Sequence, residues 1–168
     1  MNLINLSFEY LNKPDFSVVA IELFNILADN MSVIAPTGLT RDEDYKCWYE
    51  CVSDGINRNE RQIILLKYRG DLIGFFQYYT NNETFMMEEI QFKPEYQGKG
   101  ILRKLYGFVL ENIRNDLKFV EAYASINNQK SIAVLENFGL SNEGLNKNGR
   151  SYHFKGSFND LIKWYESK

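Results

Sequence analysis

Cysteine, proline and histidine are scarce in this sequence, at two, three and one among 168 residues. Cys47 and Cys51 lie four apart in RDEDYKCWYECVSDGI, a segment with helical patterning. One helix face gives poor disulfide geometry. Two cysteines and one histidine argue strongly against a zinc site. Both cysteines are expected to be reduced, partly buried thiols, and no metal is expected. His153 sits in the alternating run SYHFKG and reads as a strand residue without a chemical role. With so little proline and no low-complexity stretch, nothing divides the chain, and its length suits one domain over residues 1–168. No internal repeat is visible.

An excess of charge of one sign is also missing. The formal net charge is -3, which argues against broad nucleic-acid binding, since that relies on basic patches. A cationic substrate stays open. The opening MNLINLSFEYLNKPDF has no basic region ahead of an apolar core, so it does not read as a signal peptide. No uninterrupted apolar run is long enough to cross a bilayer. These absences predict a soluble, cytoplasmic protein with no membrane partner. What is abundant is apolar: 45% hydrophobic and 15% aromatic residues, enough for a sizeable core and with room for a homodimer interface.

Patterning divides the chain into elements. Ile4 to Tyr10 reads as a first strand. Asp15 to Ile34 reads as a helix, with Asp15 as N-cap and apolar residues at Val18, Val19, Ile21, Leu23, Phe24, Ile26 and Leu27. Thr40 to Val52 opens with the capping-box pattern Thr40-Arg41-Asp42-Glu43 and reads as a second helix ending near Gly55. From Arg61 three strands follow, joined by turns at Arg69-Gly70-Asp71 and Asn81-Asn82-Glu83. The Arg-Gly-Asp tripeptide, inside a tight hairpin, reads as a turn rather than an adhesion signal. GILRKLYGFVLENIRNDL reads as a helix, VEAYASI as a strand, and NQKSIAVLENFGL as a short helix stopped by Gly139. Ser151 to Lys155 is a further strand and Phe158 to Tyr165 a final helix. The order predicts a mixed α/β domain around one sheet.

Between the third strand and the helix after it stands EYQGKGIL. Phe92 ends the strand, Pro94 stops pairing, and Gly100 or Ile101 starts the helix. The first N–H groups of that helix point into the loop with the positive end of its dipole. Glycines bring the backbone close to a ligand, and Gln97 and Lys99 add donors. The pattern suits a pyrophosphate, and equally a plain strand-to-helix turn. Two other phosphate motifs are excluded: Lys99 is followed by Gly100 rather than Ser or Thr, and position 103 is Arg103 rather than glycine.

The stretch EEIQFKPEYQGKGILRKLYGFVL resembles the signature of the GNAT superfamily of N-acetyltransferases, Gln/Arg-x-x-Gly-x-Gly/Ala, with Gln97, Gly98, Lys99, Gly100, Ile101 and Leu102 in the six places. Leu102 departs from the usual final Gly or Ala. Downstream, Asn128 to Leu140 resembles the family's Asn-x-x-Ser/Ala…Gly-Phe helix, in wording close to the branch that includes ribosomal-protein N-terminal acetyltransferases. The resemblance covers about Arg61 to Leu140. It implies the GNAT fold, with a central, mostly antiparallel sheet that contains one splayed parallel strand pair and is flanked by helices. It also implies acetyl-CoA as co-substrate, without a metal, and transfer to a primary amine by direct attack in a ternary complex.

By the same resemblance, the backbone of Ile90, Gln91 and Phe92 pairs with pantetheine. The N–H groups from Gln97 to Leu102 take the pyrophosphate, with Leu102 the least secure contact. Asn128 bonds the pantetheine arm, and Ser131, one turn on, faces the cofactor. Glu88 is the preferred general base, because it shares its strand face with Ile90 and Phe92, whereas Glu89 shares with Gln91. A solvated or ion-paired carboxylate is the other reading of that pair. The common acid, a tyrosine, is replaced by Leu135. Ser131 is a donor or relay in the resembled branch, and Tyr123 is another candidate, with simple packing as its alternative.

The acceptor, a small molecule or a peptide amine, cannot be read from these motifs. Asp42, Glu43 and Asp44 with Tyr45, Trp48 and Tyr49 would suit a cationic amine by charge and cation–π contact, or form a solvated helix start over buried aromatics. The competing function is a non-catalytic GNAT-fold module that binds acyl-CoA or regulates a partner, a reading that Leu102 and Leu135 favour.

Overall fold

The computed structural model describes residues 1–58 and 60–167. The elements run β1 (Leu6–Tyr10), α1 (Phe16–Ile34), α2 (Arg41–Asn57), β2 (Gln62–Tyr68), β3 (Asp71–Asn81), β4 (Thr84–Phe92), α3 (Ile101–Asn112), β5 (Phe119–Ser125), α4 (Gln129–Asn137), β6 (Ser141–Leu145), β7 (Ser151–Ser157) and α5 (Phe158–Glu166). The seven strands form one mixed sheet in the order β1-β2-β3-β4-β5-β7-β6. β4 and β5 are parallel, while β1–β2, β2–β3, β5–β7 and β6–β7 are antiparallel. This is the sheet that the resemblance implies. Strand β6 was not foreseen, because Ser141-Asn142-Glu143-Gly144-Leu145 has neither apolar alternation nor β-branched residues.

The chain forms two compact units, Met1–Tyr78 with Glu89–Ile101, and Tyr79–Glu88 with Leu102–Lys168. In the first, Phe16, Ala20, Leu23 and Ile26 of α1 pack with Val52 and Ile56 of α2, Ile63 and Leu65 of β2, and Leu72 and Phe75 of β3. The spacing of the α1 set is that of one helix face. Burying each large side chain contributes roughly 1.5–3 kcal/mol. Ile64 and Leu66 are fully buried on the opposite face of β2, which is why the run IILL is continuous rather than alternating. The capping box of α2 forms as written: the Thr40 hydroxyl accepts the Glu43 N–H, and the Glu43 carboxylate accepts the Thr40 N–H.

Two expectations need correction. Cys47 and Cys51 are free and exposed rather than partly buried, because α2 turns Tyr45, Trp48 and Tyr49 to the core instead. The helical stretch Lys13–Ile34 is long and apolar enough, by length and composition alone, to cross a membrane. The expectation rested on unbroken apolar runs, and Glu22, Asn25, Asp29 and Asn30 interrupt this one. Its apolar face supplies Phe16, Ala20, Leu23 and Ile26 to the first unit's core.

In the second unit, Tyr106, Phe138 and Trp164 form an edge-to-face cluster with ring centroids 4.4 to 5.5 Å apart. The Tyr106 hydroxyl donates to Met87 Sδ at 2.8 Å, and full burial pushes its pKa up. Arg103 anchors the end of α5: its guanidinium lies 4.9 Å over the Trp164 ring and donates to the Trp164 carbonyl at 3.0 Å.

Candidate active site

In the first unit, β4 ends at Phe92 and a single 3-10 turn covers Pro94–Tyr96. Tyr96 packs against Tyr68, with centroids 5.8 Å apart. Gly98 and Gly100 then take φ values of 69° and 76°. These are left-handed conformations that a side chain disfavours. A Cβ built on either glycine would meet nothing within 4 Å. Backbone conformation, not internal crowding, therefore demands glycine at both places, and the space beside them is open. Ile101 follows as the first residue of α3. Lys99 is exposed.

Gln97 is occupied within the turn. Its N–H bonds the Pro94 carbonyl at 3.2 Å, and its Nε2 donates to the Phe92 carbonyl at 3.2 Å. The same carbonyl accepts from Asn30 Nδ2 at 2.8 Å. Asn30 Nδ2 also donates to Gln91 Oε1 at 2.8 Å, and Gln91 Nε2 donates to Glu89 Oε1 at 2.6 Å. The end of β4 is thus braced by a half-buried polar chain from α1. Gly74 of β3 lies beneath it: a Cβ there would press on the Gln91 carbonyl oxygen and come within 3.2 Å of Phe92 Cα. Neither Asn30 nor Gly74 was singled out from the sequence. The available signals were an amide inside an apolar helical stripe and an isolated glycine inside a strand.

The second unit carries the carboxylate. Parallel pairing of β4 with β5 spans Thr84↔Phe119 to Met87↔Ala122. The next residue on each strand is Glu88 and Tyr123, and both line a cleft of about 240 Å³ with Tyr79, Met86 and Met87. Glu88 therefore borders the cleft, while Glu89 bonds Gln91, as the strand alternation predicts. Tyr123 is half exposed and stacks on His153, with centroids 4.6 Å apart and planes 10° apart. His153 Nε2 lies 3.1 Å from Glu121 Oε2, and Lys155 Nζ lies 3.3 Å from Glu121 Oε1. His153 is thus built into a polar cross-strand cluster rather than standing alone.

Asn128 is the N-cap of α4, and its Oδ1 accepts the Ser131 N–H at 3.2 Å. The cap leaves the two Nδ2 hydrogens as what the side chain offers a ligand. Ser131 is half-buried, whereas Leu135 is buried in the apolar interior. Leu102 is half-buried in the first turn of α3. Among the described residues no group of three His, Cys, Asp or Glu is placed to hold a metal.

The aromatic face of α2 is half-buried against the first unit's core. Tyr45, Trp48 and Tyr49 pack on Phe16 and Phe24 at centroid distances of 5.2 to 5.8 Å. Glu43 is held in the capping box, and Asp44 Oδ2 accepts from the Thr37 hydroxyl at 2.7 Å. The reading as a solvated helix start over packed aromatics is the one the structure takes.

Comparison with curated protein sequences gives no match. Among solved structures, a spermidine N-acetyltransferase from Vibrio cholerae, in complex with CoA and spermine, is similar with a TM-score of 0.64. It is 21% identical, and the alignment covers 95% of this chain and 99% of that one. A PaiA N-acetyltransferase from Thermoplasma acidophilum, in complex with coenzyme A, gives a TM-score of 0.66 at 14% identity, covering 91% and 99%. A RimL ribosomal L7/L12 alpha-N-protein acetyltransferase in complex with CoA gives 0.64 at 15% identity, covering 94% and 96%. Likeness at these identities concerns the fold. The family model described as Acetyltransferase (GNAT) family matches residues 20–140, well over half of the sequence. The chain belongs to the GNAT acetyltransferase family.

Proposed function

We propose that this protein transfers the acetyl group of acetyl-CoA to a primary amine by direct attack in a ternary complex. The observation that carries the reading is the loop before α3: Gly98 and Gly100 hold positive φ and border open space, immediately before a helix N-terminus. In this reading Ile90 and Gln91 offer their backbone to pantetheine, and the N–H groups from Gly98 onward receive the pyrophosphate. Phe92 and Gln97 brace that surface, since their carbonyl and amide groups already bond each other. In the second unit, Asn128 offers Nδ2 to the pantetheine arm and Ser131 lies beside it.

Glu88 is the proposed base. A protonated amine cannot attack a thioester, so one proton must leave first. Glu88 borders a cleft of about 240 Å³ whose other walls are tyrosine and methionine, which suits a small amine or the end of a peptide. The likeness to an acetyltransferase bound to spermine supports an amine acceptor. The family match runs across segments of both compact units, which supports one functional domain. Dependence on acetyl-CoA supports a cytoplasmic setting.

A second reading has one observation in its favour. Leu135, buried at 8% exposure, stands where many relatives place an acid, as a non-catalytic acyl-CoA binder would allow. Calorimetry of acetyl-CoA with wild type and Gly100→Trp, followed by an amine panel, separates the possibilities. Micromolar binding, on the order of -8 kcal/mol, abolished by the substitution and accompanied by amine-dependent CoA release, is the expected result. Binding without release to any amine would leave the non-catalytic module. No binding by folded wild type would overturn both.

A further inference from the structure

Resting on the acetyl-transfer reading above, we propose that Tyr123 is the general acid that Leu135 cannot be, protonating the departing thiolate from the cleft that Glu88 borders. Three observations converge on it. Tyr123 and Glu88 are the residues that directly follow the last registered parallel pair, Met87↔Ala122, and both line the same cleft. Tyr123 is 50% exposed, so its hydroxyl is reachable by a substrate, whereas Tyr106 is 2% exposed with its hydroxyl on Met87 Sδ. Its ring is fixed: it lies face to face with His153 at 4.6 Å, and His153 in turn bonds Glu121 at 3.1 Å. A phenol held at one angle and open to the cleft is placed to donate a proton to a developing anion there.

The step balances as follows. The ammonium form of the acceptor gives one proton to solvent by way of Glu88. The neutral nitrogen attacks the thioester carbonyl carbon, forming the C–N bond, and its second proton passes to Glu88. The C–S bond breaks, and sulfur takes the Tyr123 hydroxyl proton to leave as free thiol. Solvent then returns a proton to the phenolate and removes one from Glu88. The products are the N-acetyl amine and CoA. Groups that titrate around the phenol are Glu88 and Tyr79 in the cleft, with His153, Glu121 and Lys155 along the same strand face.

The test compares wild type with Tyr123→Phe, which keeps the ring stack and removes only the hydroxyl. Acetyl-CoA affinity is measured by calorimetry, and amine-dependent CoA release is measured across pH. The expected result is unchanged acetyl-CoA affinity, an unchanged KM for the amine, a kcat lowered about 100-fold, and loss of the alkaline limb of the kcat profile. A variant with wild-type kcat and wild-type pH profile overturns the acid role. So does one whose loss lies wholly in KM, which would make Tyr123 a wall of the acceptor site. A wild type that releases no CoA with any amine overturns the acetyl-transfer reading itself, and the acid with it.

Discussion

Asn128 Oδ1 accepts the N–H of Ser131 at 3.2 Å and so caps α4. The residue proposed to hold the pantetheine arm is therefore also a structural cap, and the two roles use different atoms. Asn128→Ala removes both, and is expected to cost about 1 kcal/mol of stability in urea unfolding. Asn128→Asp keeps an acceptor at the cap and loses the Nδ2 donors, so its stability should stay near wild type. Acetyl-CoA affinity should fall about tenfold in both variants, the loss of one hydrogen bond. Full affinity in Asn128→Asp would remove Nδ2 from the cofactor site.

Gly74 makes a second prediction. A methyl group there would collide with the Gln91 carbonyl oxygen and press on Phe92, and both are backbone that cannot swing aside. Gly74→Ala is expected to cost about 2–3 kcal/mol, read as a lower urea midpoint. Gly98→Ala meets nothing within 4 Å and pays only for its φ of 69°, about 1 kcal/mol. Equal costs at the two positions would mean that the approach of β3 to the end of β4 is not rigid.

The glycine loop, the hairpin turns and the capping box were legible because each depends on neighbouring residues and on chemistry specific to a few side chains. The turn at Arg69-Gly70 has φ values of 54° and 90°, the geometry that its sequence demanded. What was not legible depends on pairs far apart in the chain. Asn30 meets Gln91 across 61 residues, and His153 meets Glu121 across 32. No local pattern encodes such meetings. Tyr79 was invisible as a cleft residue for the same reason: a tyrosine in GFFQYYT reads equally as core or wall.

The capping box predicts a pH dependence. The Thr40 backbone N–H, and then its hydroxyl, stabilise the charged Glu43 carboxylate and hold its pKa below the ordinary 4.5. A carboxyl whose pKa is depressed by folding adds stability above its unfolded value, and that stability is lost as pH falls through the folded value. Glu43→Gln should therefore be less stable than wild type at neutral pH. The gap should close on acidification below about pH 4, followed by thermal melts across pH. A gap independent of pH would mean that the carboxylate charge contributes nothing to the cap.

Glu88 and Glu89 are adjacent, yet the strand sends them to different work. Glu88 borders the cleft with Tyr123, while Glu89 accepts from Gln91 Nε2 at 2.6 Å. Glu88→Gln keeps the shape and removes the proton acceptor. Its expected effect is a kcat lowered about 100-fold, with loss of the acidic limb of the pH profile and unchanged acetyl-CoA affinity. Glu89→Gln should act through the Asn30–Gln91 chain instead, lowering stability by about 1 kcal/mol with a smaller effect on kcat. The pair is its own control, because both substitutions remove one negative charge from the same stretch of β4. Equal losses of kcat would point to net charge as the cause, whereas a loss confined to Glu88→Gln assigns the base to the cleft.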